Sequence, residues 1–364
     1  VTMAIPKVEP EKYDELLAEK KAWVESEFSA FELPEIELFE SPKEHYRLRA
    51  EFRTWHDGDD LDYIMFEPGS KHQHTKLTSC PMVSETIHDM MFKLLDEIRG
   101  IEALRRRLFQ VDFLSSLSGE LLVSLLYHRP IDEAWEEEAR KLKDKFGIDI
   151  VGRSRKKKVV LDRDFVIETM EINGRDYIYK QVENAFSQPN GEVCRSMIKW
   201  ALSSSENAGG DMVELYCGNG NFTLPLAQNF RRVVATEISK SSVYAAQYNI
   251  EANKIDNVDV VRISSEEFSQ VLSGQVQKRR TKDLDLESCD FTTVLVDPPR
   301  AGLDDDTVKQ VQEYNNIIYV SCNPETLKEN LAVITQTHKI ERFAIFDQFP
   351  YTHHLECGVY LTRI

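Results

Sequence analysis

The sequence predicts an α/β protein in which an α+β module precedes a doubly wound, mainly parallel sheet. Two observations predict this. After Gln181, apolar strand-like runs alternate with helix-like segments as far as Leu361, the grammar of a parallel sheet with crossover helices. Before it, short strands come in pairs around turn signals, as in antiparallel sheets.

The elements follow in order. Glu11 to about Phe31 carries apolar positions at helical spacing and reads as an amphipathic helix. His45 to Arg53 alternates Tyr46, Leu48, Ala50 and Phe52 with Arg47, Arg49, Glu51 and Arg53, a half-buried strand with a basic outer face. His56-Asp57-Gly58-Asp59-Asp60 is a hairpin turn from which Tyr63-Ile64-Met65-Phe66 returns. Ser84 to Arg99 is helical, Phe109 to Leu114 and Leu121 to Tyr127 pair about Ser118-Gly119, Trp135 to Lys145 is helical, and Val159–Leu161 and Tyr177–Tyr179 close the module. The second part expects helices at Glu192–Leu202, Phe222–Gln228, Ser241–Asn253, Glu266–Leu272, Asp306–Tyr314 and Glu325–Thr337. Its strands are expected at Met212–Tyr216, Arg232–Glu237, Val258–Ile263, Thr293–Val296, Ile317–Val320, Arg342–Phe346 and Gly358–Leu361. The boundary falls between Asp164 and Gln188, giving a helical segment 1–40, a module 41–175 and a second domain 176–364. The first helix is expected to pack on the second domain.

Composition narrows the class. Of 364 residues, 41% are hydrophobic and 29% charged, and no apolar stretch is long enough to span a bilayer. Val1–Pro6 lacks a basic-then-apolar secretion pattern, so a cytoplasmic location is expected. Six scattered cysteines without a Cys-x-x-Cys pair argue against structural zinc, an iron–sulfur cluster or a disulfide framework. The net charge of −17 counts against nucleic acid, but base is segregated in Arg47/Arg49/Arg53, Arg105–Arg107 and Arg153–Lys158. A basic face on an acidic chain is compatible with RNA.

In an open parallel sheet, ligands bind beyond the carboxyl ends of the strands. The first such end is Glu214-Leu215-Tyr216-Cys217-Gly218-Asn219-Gly220-Asn221-Phe222, where Gly218 and Gly220 permit a tight turn. The second ends at Glu237, 19 residues after Gly218, where a carboxylate receives both hydroxyls of a ribose. Thr223 stands where dinucleotide folds place a third glycine, and no Lys-Ser/Thr follows, which excludes a P-loop. The run instead resembles the S-adenosylmethionine site of class I methyltransferases. Asp297-Pro298-Pro299 resembles the substrate-facing motif of methyltransferases that act on planar nitrogenous bases. Arg300 follows where exocyclic-amine enzymes carry an aromatic residue, and it suits anionic charge on a ring oxygen. A proline-stopped strand with a surface ion pair is the plainer reading of the same residues.

Cys322 ends the apolar run Ile317–Ser321, with Asn323 as N-cap and Pro324 as first helical residue. Placed at a helix N-terminus, its thiol is expected to be lowered toward thiolate and to act as a nucleophile. A small buried hydrophobe is the alternative. A thiolate explains the rest of the set: added to C6 of a uracil it makes C5 nucleophilic toward a sulfonium methyl, after which a base must remove the C5 proton. The run Gln348–Val359 offers Glu356 as that base, with His353 and His354 as competitors. Adjacent histidines point in different directions, and no further His/Cys cluster supports a metal.

Together with His45–Asp60 and Asp347–His354, these motifs make the chain resemble RNA 5-methyluridine methyltransferases over its whole length, and their tRNA-directed branch in particular. The resemblance implies a C-terminal class I (Rossmann-like) methyltransferase domain preceded by an α+β RNA-binding domain. It implies Cys322 as nucleophile and Glu356 as proton acceptor, with S-adenosyl-L-methionine held by Gln188, Tyr216, Asn221, Glu237 and Asp297. The substrate is then the T-loop uridine of tRNA that becomes ribothymidine, or another RNA with a T-loop-like fold, with no membrane and no obligate protein partner. Related rRNA enzymes often carry an N-terminal cysteine cluster and an extra β-barrel, and this chain has neither. The first module would hold RNA through Arg53 and its strand neighbours, with Phe109, His128 and Phe186 for stacking. A loop uridine must leave its stack to meet Cys322. rRNA methylation by the same chemistry, amino-group methylation and an RNA-folding role with secondary methylation are the rival readings.

Overall fold

Alternating apolar residues between Arg49 and Val160 build a seven-stranded sheet in the first of two units of the computed structural model, which describes residues 5–364. The expectation for Val1–Ala4 lies outside the described residues. This unit takes in 42–169 and 181–191. Its strand order is His74–Lys76, Asp60–Phe66, Arg49–Asp57, Leu108–Ser115, Leu121–Tyr127, Asp149–Ser154, Lys157–Val160. All neighbours are antiparallel except Leu121–Tyr127 with Asp149–Ser154. Helix Glu85–Arg99 starts at Ser84, whose hydroxyl accepts from the Ile87 amide, and buries Ile87, Met91, Leu94 and Leu95. Helix Glu133–Phe146 is capped by Asp132 and buries Trp135.

Two expectations shift here. The strand expected at His45–Arg53 runs at Arg49–Asp57 instead, and Arg47 makes only isolated bridges to Val83 and Asn190. Extended backbone carries on to the turn because Asp57 pairs with Asp60 across Gly58 and Asp59. The strand's basic face is also less open than expected. The Arg49 guanidinium donates to the Glu183 and Ala185 carbonyls and the Ser187 hydroxyl, and Arg47 Nε donates to the Arg49 carbonyl. These two arginines serve the fold, because a desolvated guanidinium must be satisfied internally.

The second unit, Glu11–Ser41, Met170–Lys180 and Glu192–Ile364, contains an eight-stranded sheet. Its order is Ile36–Phe39, His338–Phe346, Glu356–Arg363, Asn316–Ser321, Phe291–Val296, Asp211–Leu215, Arg232–Glu237, Val258–Arg262. Only Glu356–Arg363 runs antiparallel to its neighbours. The order reverses at Asp211–Leu215, the switch point where a doubly wound sheet opens a crevice. Strands buried on both faces read as continuous apolar runs, and Val213, Val294, Ile317, Tyr319 and Val359 are all fully buried. Each contributes roughly 1.5–3 kcal/mol of burial.

The expected helix at Phe222–Gln228 shortens to Thr223–Leu226 with a following 3-10 turn. The edge strand Ile36–Phe39, and the strands His74–Lys76, Asp149–Ser154 and Phe165–Ile172, are absent from the sequence reading. Ile36–Phe39 is four residues long and pairs in parallel with His338–Phe346, a partner that local periodicity cannot reveal. No helix among the described residues is long and apolar enough to cross a membrane.

Candidate active site

The loop after Asp211–Leu215 forms a cradle. Tyr216, Gly218 and Gly220 all have positive φ, at 59°, 57° and 92°. For a tyrosine that conformation is costly, and such strain concentrates at ligand sites. The Gly218 amide donates to Glu237 Oε1 at 3.1 Å and the Ser239 amide to Oε2 at 2.7 Å, so the carboxylate spans two neighbouring strand ends. The Tyr216 hydroxyl pairs with Ser265 at 2.9 Å.

This cradle fits an S-adenosylmethionine-type donor. A Cβ built on Gly218 meets nothing within 4 Å, so the loop faces open space. Asn221 Nδ2 is a buried donor without a partner among the described residues. Glu237 keeps lone pairs for ribose hydroxyls, and Tyr216 and Asp297 close the ring of strand ends.

Beneath the cradle lies a residue the sequence reading missed. Glu214 is fully buried and accepts from the Thr223 hydroxyl at 2.7 Å, pinning the loop's return into its helix. Burial, reinforced by Asp297 and Glu237, pushes its carboxyl up to about 8. A raised carboxyl binds its proton more tightly folded than unfolded. Its stabilising contribution is therefore whole below about pH 4 and lost as pH rises toward 8. Replacing Glu214 by Gln should flatten the fall in Tm between pH 5 and pH 8 by several degrees, read by calorimetry.

Across the switch point, Asp297 follows strand Phe291–Val296, and burial pushes its carboxyl up to about 7. Cys322 follows strand Asn316–Ser321. Ser321 pairs with Cys357, which places Glu356, the first residue of the antiparallel strand, beside Cys322. The three groups sense one another electrostatically: burial and then Asp297 hold the Glu356 carboxyl well above the usual carboxylate range. Asn323 caps the following helix by accepting from the Glu325 amide, and Pro324 opens it, as expected. The Asn323 side-chain amide and the Thr326 hydroxyl both donate to the Arg300 carbonyl, tying the Asp-Pro-Pro-Arg turn to the cysteine's helix.

The expected lowering of the Cys322 thiol is corrected. Burial first, then the Glu356 and Asp297 carboxyls, push it up to about 11, against the pull of Arg300. A helix terminus is worth roughly 0.3–1 kcal/mol at a partly exposed site, less than the 1.36 kcal/mol of one pKa unit. Desolvation next to two acids outweighs it.

Cys322 opens into a cavity of about 740 Å³, also lined by Arg300, His353 and His354 and by Lys20 and Trp23 of helix Tyr13–Glu27. Both histidines are exposed, and Glu356 is only 4% exposed. Burial first, then His353, Arg300 and Lys20, lower the pKa of His354. Among the described residues no group of three or more His, Cys, Asp or Glu is placed to hold a metal ion.

In the first unit, Phe109 and His128 stack at 3.7 Å with planes 9° apart, and the Arg53 guanidinium sits 5.7 Å from the Phe109 ring centroid. Burial, then Arg107 and Arg53, lower the pKa of His128. Phe186 is 77% exposed and so does not belong to the core. Gln188 lies in this unit too, on the segment that Arg49 anchors.

Known proteins match this chain along its length. The family model for tRNA (uracil-5-)-methyltransferase covers residues 12–364. A tRNA/tmRNA (uracil-C(5))-methyltransferase of Vibrio parahaemolyticus is 55% identical over 99% of this chain and 100% of its own. One of Shewanella loihica is 53% identical with the same coverage. Among solved structures, Pyrococcus abyssi tRNA (uracil-54, C5)-methyltransferase in complex with S-adenosyl-L-homocysteine has a TM-score of 0.73. At 22% identity, covering 96% of this chain and 83% of that one, it shares the fold. The larger unit is thus a class I, S-adenosylmethionine-dependent methyltransferase fold. The chain belongs to the tRNA (uracil-5-)-methyltransferase family.

Proposed function

We propose that this protein methylates C5 of uridine 54 in the T-loop of tRNA, in the cytoplasm; uracil 54 is the position named for the Pyrococcus abyssi enzyme of the same fold. One observation carries the reading: Cys322, Glu356 and Asp297 converge at neighbouring strand ends beside the Gly218 cradle. Tyr216, Asn221, Glu237 and Asp297 would hold the donor. When bound, S-adenosylmethionine supplies an electrophilic methyl on a cationic sulfonium, whose charge favours the ionised forms of the raised acids around it.

Cys322 Sγ, as thiolate, adds to C6 of the uracil, and the electron pair moves into an enolate across C5 and O4. Arg300, which lines the same cavity as Cys322, would stabilise that anionic oxygen. C5 then takes the methyl group. Glu356 removes the C5 proton, the C5–C6 double bond re-forms, and the C6–S bond breaks with the thiolate as leaving group. Burial of Glu356 keeps bulk water from competing for this proton.

The Arg53–Phe109–His128 array supports RNA binding. An imidazole stacked on a phenyl ring is a ready platform for an unpaired base, and the guanidinium adds charge. The target must flip out of the loop to reach Cys322. The test is incubation with methyl-labelled donor and unmodified tRNA, with mapping of the labelled nucleoside. Label at 5-methyluridine in the T-loop is the expected result, and label in a purine amino group removes the reading.

A further inference from the structure

Helix Tyr13–Glu27 lines the Cys322 cavity, and nothing in the chemistry above uses it. The helix has two distinct stripes. Tyr13, Leu17, Val24 and the following Phe28 are buried against the sheet. Leu16, Glu19, Lys20 and Trp23, at helical spacing, line the cavity.

Four contacts made by Lys20 and Tyr13 fasten this helix. Lys20 Nζ donates to Asp347 Oδ1 at 2.7 Å and to the Phe349 carbonyl at 3.2 Å, with 11% and 3% of the two charged side chains exposed. The Ser41 amide donates to the Tyr13 hydroxyl at 2.7 Å, and the Tyr13 ring meets Tyr351 edge-on at 5.9 Å. Asp347, Phe349 and Tyr351 belong to the segment that leads into Glu356. The wall is therefore fixed relative to the reacting groups. On this fixed wall Trp23 is 43% exposed and lines the same cavity as Cys322.

We propose that helix Tyr13–Glu27 is a wall of the RNA cleft and that Trp23 is a stacking surface for an unpaired base beside the target uridine. This rests on the uracil-methylation reading. The chemistry selects a base and not a phosphate: Glu19 and Glu325 line the same cavity and repel anions, and Lys20 is committed to Asp347. An indole face accepts any base.

The test uses the full chain, unmodified tRNA and the labelled donor. Replacing Trp23 by Ala should raise KM for tRNA about tenfold, the loss of one base–aromatic stack. KM for the donor should stay unmoved, and Trp23→Phe should restore tRNA KM to within about twofold. Adding tRNA to a Trp55→Phe protein should quench its fluorescence, and the further change Trp23→Phe should remove that quench, since Trp135 and Trp200 are buried. A Trp23→Ala enzyme with an unchanged tRNA KM overturns the proposal, as does a rise shared by the donor KM, which would mark a merely structural residue. If the wild-type enzyme labels no uridine, the reading beneath it fails first, and that is seen before any variant is made.

Discussion

Cys322→Ala is expected to lower methyl transfer to tRNA by at least about 10⁴-fold, with no covalent RNA adduct. Without the thiolate, C5 of uracil has no route to a nucleophilic state, and neither the cradle nor Glu356 can substitute. Cys322 is half-buried at a strand end, so removing its sulfur costs little packing and the protein should fold. Donor binding, followed by calorimetry, should persist, because the Gly218 loop and Glu237 lie on other strands. Retained turnover would mean that no covalent step exists and would leave amino-group methylation as the better account.

Glu356→Gln should separate the two halves of the reaction. Addition and methyl transfer need only the thiolate and the donor, whereas elimination needs a base at C5. The variant should therefore accumulate methylated RNA bound to Cys322, seen as a gel shift that survives denaturation. Turnover should fall by about 10²- to 10⁴-fold. Glutamine keeps the volume of a side chain that is 4% exposed and cannot take a proton. Burial and Asp297 hold the native carboxyl high, so the amide also removes an unfavourable pair of neighbouring acids. A Glu356→Gln enzyme that turns over normally would move the base to His353 or His354. Both are exposed at the cavity mouth.

Much of the site was legible in the sequence because its parts lie at strand ends, where local grammar is strong. The alternation after Gln181 places the ends of Asp211–Leu215, Arg232–Glu237, Phe291–Val296 and Asn316–Ser321 correctly to within a residue or two. With them come Gly218, Glu237, Asp297 and Cys322. The Asn323-Pro324 start of a helix was read from capping chemistry alone. The edge strand Ile36–Phe39 was missed because its partner lies some 300 residues away. Glu214 was missed because a buried carboxylic acid held by Thr223 looks, in sequence, like any strand residue.

The amino-acid sequence by itself determined which chemistry is available: a thiol ahead of a helix, a carboxyl ahead of the last strand, a glycine turn and an acidic strand end. Only the tertiary structure decided their electrostatics and their neighbours. It set Cys322 beside two acids, so that desolvation overrides the helix terminus and the thiol rises where local reasoning lowers it. It turned Arg47 and Arg49 from a basic surface into internal ties, and it brought the first helix to the lining of the Cys322 cavity. The physical reason is one of range. Backbone preferences act over a few residues and can be read along the chain, whereas dielectric burial and charge act through space on whatever the fold brings together.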